Sequence, residues 1–114
     1  MEVFCHHLYE FEKGLRDLIL HTTEAENKKF IKKRLENNDI PYIIYHVNAE
    51  KINVFFGHEK CIEVIKRIGK KDMNDYTDEE DFILGSMLGY DRVQQCERYI
   101  QRKDDKKQVN ELVG

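Results

Sequence analysis

The stretch Tyr42–Phe56, YIIYHVNAEKINVFF, decides the fold of this chain. It contains two runs of β-branched and aromatic residues, Tyr42–Val47 and Ile52–Phe56, which the short polar segment Asn48–Lys51 separates. Runs of this composition around a short polar connection predict two antiparallel strands joined as a hairpin. Pro41 stands immediately before the first run, where a strand tolerates proline. The stretch therefore predicts a β-hairpin with one face in the protein core.

A third strand and a helix are predicted before the hairpin. Leu15–His21 contains the apolar run Leu18–Leu20, which is typical of a strand covered on both faces. Thr23 and Glu26 have the T-x-x-E spacing of a capping box, which predicts the start of a helix ending near Asn37–Asn38.

The N-terminal segment fits two structures. Its apolar residues lie on one helical stripe, but Val3–Phe11 also alternates as a strand would. We favour a helix that ends at Gly14, because glycine is common just after a helix C-terminus.

Helices are predicted throughout the region after the hairpin. The first spans about Glu59–Ile68 and ends at Gly69, and the polar segment Lys70–Tyr76 follows it as a loop. Thr77 with Glu80 forms a second T-x-x-E box, which predicts another helix start.

The last apolar stripe fits either one helix or two over residues 78–103. Gly85 and Gly89 interrupt the stripe, so Gly89 is a candidate helix end and Asp91 a candidate cap of the next helix. Beyond Asp91 the apolar stripe continues through Val93, Cys96, Tyr99 and Ile100.

The element order is therefore α-β-α-β-β-α-α-α, an α+β fold. Its centre is a split β-α-β-β-α unit, half of a ferredoxin-like motif, with a three-stranded sheet, an N-terminal helix and two C-terminal helices. Residues 1–103 form a single domain, and residues 104–114 a charged, frayed C-terminal tail. Such a sheet leaves an open edge, which a helix or a second chain usually covers, so we expect a homodimer.

Composition limits the classes of partner. The 114 residues are 40% hydrophobic and 36% charged, with a net charge of −3, which predicts a globular chain without overall attraction to nucleic acid or acidic lipid. The N-terminus has no basic lead or long apolar run of a signal peptide. The three cysteines, Cys5, Cys61 and Cys96, form no CxxC pair, and they predict reduced thiols in a cytoplasmic protein.

Histidines supply two candidate small-ligand sites. His6 and His7 follow Cys5, but adjacent helix positions diverge by about 100° and cannot all hold one ion, so we predict no metal site there. The second candidate site is a group of side chains at one end of the sheet. The first two strands of a split unit run parallel, so residues at their carboxyl ends are expected at the same edge of the sheet. The group comprises His21, Thr22, Thr23 and His46.

Basic residues are frequent in the two helices predicted before and after the hairpin. If both helices pack on one sheet face, as a split unit predicts, their outer sides merge into one surface that can dock an acidic protein. Solvated helix faces explain the same pattern. The candidate docking residues are Lys28, Lys29, Lys32, Lys33, Lys66 and Arg67.

Several segments resemble a small family of bacterial proteins of about this length, classed as a domain of unknown function. They are Val3–Phe11, Leu18–Thr22, Asp81–Gly85 and Gly89–Arg92. The resemblance implies three strands, five helices and a homodimer, with no known activity. It also implies an association with a neighbouring flavodoxin gene, which makes an acidic flavodoxin a candidate partner.

The sequence has no G-x-S-x-G, H-E-x-x-H or phosphate-loop motif. We therefore predict a non-catalytic, homodimeric interaction or regulatory module without a cofactor. The alternative is a small ligand-binding protein or enzyme with its site near His21, Thr22 and His46.

Overall fold

A computed structural model describes the backbone of residues 1–113 and the side chains of residues 1–109. It confirms the predicted order of five helices and three strands. The elements are α1 (Glu2–Glu12), β1 (Leu18–Glu24), α2 (Lys28–Asn37), β2 (Tyr42–His46), β3 (Lys51–Gly57), α3 (Glu59–Ile68), α4 (Asp78–Met87) and α5 (Arg92–Val113).

The three strands form one antiparallel sheet in the order β1-β3-β2. The central strand β3 pairs with β2 through the predicted hairpin and with β1 on its other side. Because both neighbours are antiparallel to β3, β1 and β2 run parallel to each other with one strand between them. This is the split arrangement that the sequence predicts.

Helices cover both faces of the sheet. On one face, α1 and α2 pack against the sheet through Phe4, Leu8, Ile31 and Leu35, which contact a cluster around Val54. On the other face, α3 and α4 pack through a second cluster of buried residues, which comprises Leu18, Phe55, Ile62, Ile65, Tyr76, Leu84 and Leu88. The side-chain alternation of β3 separates the two clusters.

The placement of α3 corrects one prediction. The helices α2 and α3 lie on opposite faces of the sheet, so their basic sides do not merge. The N-terminal helix is the physical reason, because Phe4 and Leu8 of α1 occupy the space beside α2. The remaining sheet face is left for α3.

The first strand begins and ends three residues later than predicted. Leu15 is exposed, and pairing with β3 extends β1 through Thr23 to Glu24. Thr23 therefore does not cap α2, and its predicted capping box with Glu26 is wrong. A short 3-10 turn, Ala25–Asn27, connects β1 to α2 instead.

The structure decides between the alternatives left open at the two ends. The N-terminal segment is helical, and α1 ends at Glu12, two residues before Gly14. Residues 78–103 form two helices, because Gly89 has a φ of +81° and the Asp91 carboxylate accepts from the backbone N–H of Gln94. The segment expected to be a tail is helical as far as Val113. No helix among the described residues has the length and apolar character needed to cross a bilayer.

Candidate functional site

Three of the four residues predicted at the end of the sheet line one groove. This groove, which we call the β1 groove, runs along the outer edge of β1 and has a volume of about 850 Å³. Thr22 and Thr23 line it beside the first turns of α1. His21 and His7 also line it. The groove is the closest match to the predicted ligand site.

His21 is a buried residue in the middle of β1, not the end of that strand. Its side chain is 8% exposed, and its ring packs 5.8 Å from the Phe4 ring and 5.5 Å from the His7 ring. Its Nε2 has no hydrogen-bond partner among the described residues. Burial lowers the pKa of His21, and positive charge on His7 lowers it further. The neutral imidazole is therefore the favoured form in the folded chain.

The two threonines do not converge with His21 on one point. Thr22 points to the opposite sheet face, where its hydroxyl donates to Asn53 Oδ1 at 2.6 Å. Thr23 accepts from Asn27 Nδ2 at 3.0 Å, so both hydroxyls are engaged within the chain.

His46 lies apart from the β1 groove. It pairs with Ile52 on the far side of β3, and its Nε2 is 3.1 Å from Lys28 Nζ. The parallel relation of β1 and β2 is confirmed, but the intervening strand separates His46 from His21. His46 therefore belongs with the basic side chains of α2.

The outer side of α2 carries five basic residues within seven positions. The helix buries Ile31 and Leu35, which leaves its other positions to solvent. None of the five forms an ion pair with an acidic side chain within residues 1–109. We call this the α2 basic surface, and it comprises Lys28, Lys29, Lys32, Lys33 and Arg34.

The other predicted docking residues lie elsewhere. Lys66 and Arg67 are at the end of α3, beneath the opposite sheet face. Arg67 is engaged, because its Nε donates to Glu63 at 3.0 Å one helical turn earlier. These two residues do not extend the α2 basic surface.

The acidic block at the start of α4 is neutralised within the chain. Asp78 has a fully buried side chain, with Lys106 Nζ 2.8 Å from Oδ2 and Arg102 Nε 3.0 Å from Oδ1. A hydrogen bond from Lys106 lowers the pKa of Asp78, and the charges of Lys106, Arg102 and Lys103 lower it further, against the effect of burial. The sequence shows both sets of charges, but only the antiparallel packing of α4 on α5 pairs them.

The candidate metal ligands do not assemble a site. His6 and His7 both approach the Glu10 carboxylate, at 3.6 and 3.3 Å, along one side of α1. No group of three or more His, Cys, Asp or Glu side chains in the part of the chain that the structure describes is arranged to hold a metal ion.

These features define an α+β protein with a helix-covered, three-stranded antiparallel sheet and with a helix, α2, whose basic side chains form no ion pair within residues 1–109. The chain belongs to the family described as "Protein of unknown function (DUF2023)", whose model matches residues 2–102. The match includes every strand and ends within α5. No curated protein matches the chain.

Proposed function

We propose that this chain is a non-catalytic docking module that binds an acidic protein through the α2 basic surface. The observation that carries the proposal is a contrast in charge pairing. The acidic residues in the first turn of α4 pair with cations within the chain, most of them on α5, through contacts such as Asp81 with Arg98 at 2.8 Å. The cations of α2 have no such partners among the described residues.

An acidic protein is the partner that this surface favours. Complementary charge accelerates encounter and fixes the orientation of a complex, and the side chains of the surface are ready to pair without breaking an internal ion pair. The Lys28–His46 contact adds an imidazole at the edge of the same surface.

A salt titration tests this proposal. A purified acidic flavodoxin, the candidate partner suggested by the family resemblance, is titrated with the chain by calorimetry at low and at high ionic strength. We expect binding at low ionic strength that weakens as salt is added, because exposed charges are screened over about 10 Å at 0.1 M salt. An absence of binding at low ionic strength would contradict docking to this partner.

A small-ligand site in the β1 groove is the second candidate function. The specific observation in its favour is the buried His21 Nε2, which has no partner among the described residues, beside an open groove. Thermal unfolding with and without inorganic phosphate, nucleotides and flavins tests it, since a ligand that binds the folded state raises the unfolding temperature. A flat response to all of them counts against this function.

A further inference from the structure

The outer side of the α4–α5 hairpin is apolar and uncovered. The inner side of α4 packs on the sheet through Leu84 and Leu88, but the opposite side exposes Ile83 at 42%. On α5, Val93 is 65% and Ile100 57% exposed. The sequence places Val93 and Ile100 on an apolar stripe, and the structure turns that stripe towards solvent. An exposed apolar patch of this kind marks an interaction surface.

A groove lies between the two helices on this side. Its volume is about 480 Å³, and the Phe82 and Tyr99 rings, which pack edge to face 5.9 Å apart, form part of its wall. We call this surface the α4–α5 face, and the groove in it is lined by Glu79, Phe82, Ile83, Cys96, Tyr99 and Ile100.

Two pairs of opposite charge connect α4 to α5 beside this face. Lys103 Nζ lies 2.9 Å from Glu79 Oε1 and above the Tyr99 ring, at 5.6 Å from its centroid. The Arg98 guanidinium donates two hydrogen bonds to the Asp81 carboxylate. Because Lys103 pairs with Glu79, the charged residue of the groove lining, the groove has no net charge that an acidic or basic partner would recognise.

We propose that the α4–α5 face packs on the same face of a second copy of this chain. A two-fold interface brings a patch against itself, so a net charge on the patch would repel its own copy, whereas a neutral apolar patch is self-complementary. Homodimer interfaces are also more apolar than other protein surfaces. The 93, 96, 100 spacing of apolar residues on α5 is the three-and-four spacing by which helices pack on each other. The resulting interface is a four-helix bundle.

This dimer is independent of the proposed docking function, because α2 and the α4–α5 hairpin lie on opposite sides of the sheet. It also differs from a dimer made by pairing the open edges of two β1 strands. A substitution on the α4–α5 face separates the two arrangements, since only one of them contains Ile100.

The test is the mass of the full chain in solution, measured by sedimentation velocity over a range of concentrations. Ile100→Asp places a charge in the groove, and Val47→Asp is the matched control, because Val47 is 53% exposed in the β2–β3 turn. We expect the unmodified chain and the Val47→Asp variant to be dimers and the Ile100→Asp variant to have half that mass. A monomeric unmodified chain, or a dimer that survives Ile100→Asp, would overturn the proposal.

A second readout needs no variant. Cys96 is exposed in the single chain and lines the groove, so a dimer through this face covers it. Alkylation of Cys96, followed by peptide mass spectrometry, should slow as protein concentration rises through the dimerisation range. A rate that is independent of concentration across that range would also overturn the proposal. The Ile100→Asp variant is also tested for binding to the acidic partner. Because this variant keeps the α2 basic surface, its binding separates failure of the dimer proposal from failure of the α2 docking function.

Discussion

Lys106 reaches back along the α4–α5 hairpin to the first residue of α4, where its Nζ lies 2.8 Å from Oδ2 of the fully buried Asp78 carboxylate. Arg102 approaches the other carboxylate oxygen at 3.0 Å. This cluster ties the second half of α5, a region expected from its composition to be a tail, to the body of the protein. A buried carboxylate of this kind is stable only while its cationic partners remain in place.

Asp78→Asn should therefore lower the thermal unfolding temperature by several degrees. The amide preserves the shape of the side chain but removes the buried anion that Lys106 and Arg102 contact, and of these two cations only Arg102 keeps a second carboxylate, that of Asp81, within the described residues. Asp75→Asn is the control, because Asp75 is exposed in the loop before α4, where substitutions change stability by about 0.5 kcal/mol or less. Equal effects of the two substitutions, measured by circular dichroism, would show that the cluster does not stabilise the hairpin.

The ion pairs of Asp78 also predict that the stability of the fold depends on pH in the acid range. The folded-state pKa of Asp78 is below its unfolded value, so its contribution to stability is complete above about pH 4 and is lost as the pH falls through the folded-state pKa. The stability difference between the unmodified chain and Asp78→Asn should narrow over this range. A difference that stays constant as the pH falls well below 4 would contradict the ion-pair origin.

His21 predicts a second pH dependence with its own range. Because its folded-state pKa is below the unfolded value of about 6.5, the unfolded chain takes up the proton first as the pH falls. Stability is therefore lost from about pH 6.5 downwards until the folded-state pKa is reached. His21→Phe keeps a ring beside Phe4 and removes this titration, so its unfolding temperature should fall less between pH 7 and pH 5 than that of the unmodified chain.

His6→Phe is the control for that measurement. The His6 side chain is 72% exposed, so the same substitution there should leave the pH dependence of unfolding close to that of the unmodified chain. If His6→Phe and His21→Phe flatten the pH profile equally, burial of His21 is not the source of the pH dependence.

A single methyl group added at Gly57 should have a large effect on the free energy of unfolding. Gly57 ends β3 with a φ of +151°, and a Cβ there would overlap the backbone oxygen of Asp17, which accepts from the His58 N–H at 2.8 Å. Gly57→Ala should lower the free energy of unfolding by about 3 kcal/mol or more. Gly14→Ala shares a positive φ but has no atom within 4 Å of the added carbon, so its cost in urea denaturation should be about 1 kcal/mol. Similar costs at the two positions would argue against the overlap.

Local chemistry explains which elements the sequence predicts well. The Thr77 hydroxyl accepts from the Glu80 N–H, and the Glu80 carboxylate accepts from the Thr77 N–H, so the predicted capping box is confirmed. Gly69 ends α3 with a φ of +67°, and Asp91 caps α5. Each of these signals acts within four residues, where the sequence alone contains the whole interaction.

Long-range pairing explains what the sequence does not predict. Thr23 and Glu26 satisfy the capping-box spacing, yet Thr23 lies in β1 because its backbone pairs with Ile52, far along the chain. The choice of sheet face for α3 depends on α1 filling the space beside α2. The partial assembly of the predicted ligand site has the same origin, since β3 separates His21 from His46.

The affinity of the acidic partner for two charge-reversed variants tests the docking function most directly. One variant reverses three cations of the α2 basic surface and the other reverses three exposed cations on or just after α3, so both change the net charge by the same amount. The substitutions are Lys29→Glu, Lys32→Glu and Lys33→Glu in the first, and Lys60→Glu, Lys66→Glu and Lys71→Glu in the second.

At low ionic strength we expect the α2 variant to bind the flavodoxin about tenfold more weakly than the unmodified chain, because each surface ion pair contributes about 0.5 kcal/mol. The α3 variant should retain most of the affinity, and high salt should remove the difference between the two. Equal loss in both variants would show that net charge alone governs binding, and it would contradict docking through α2.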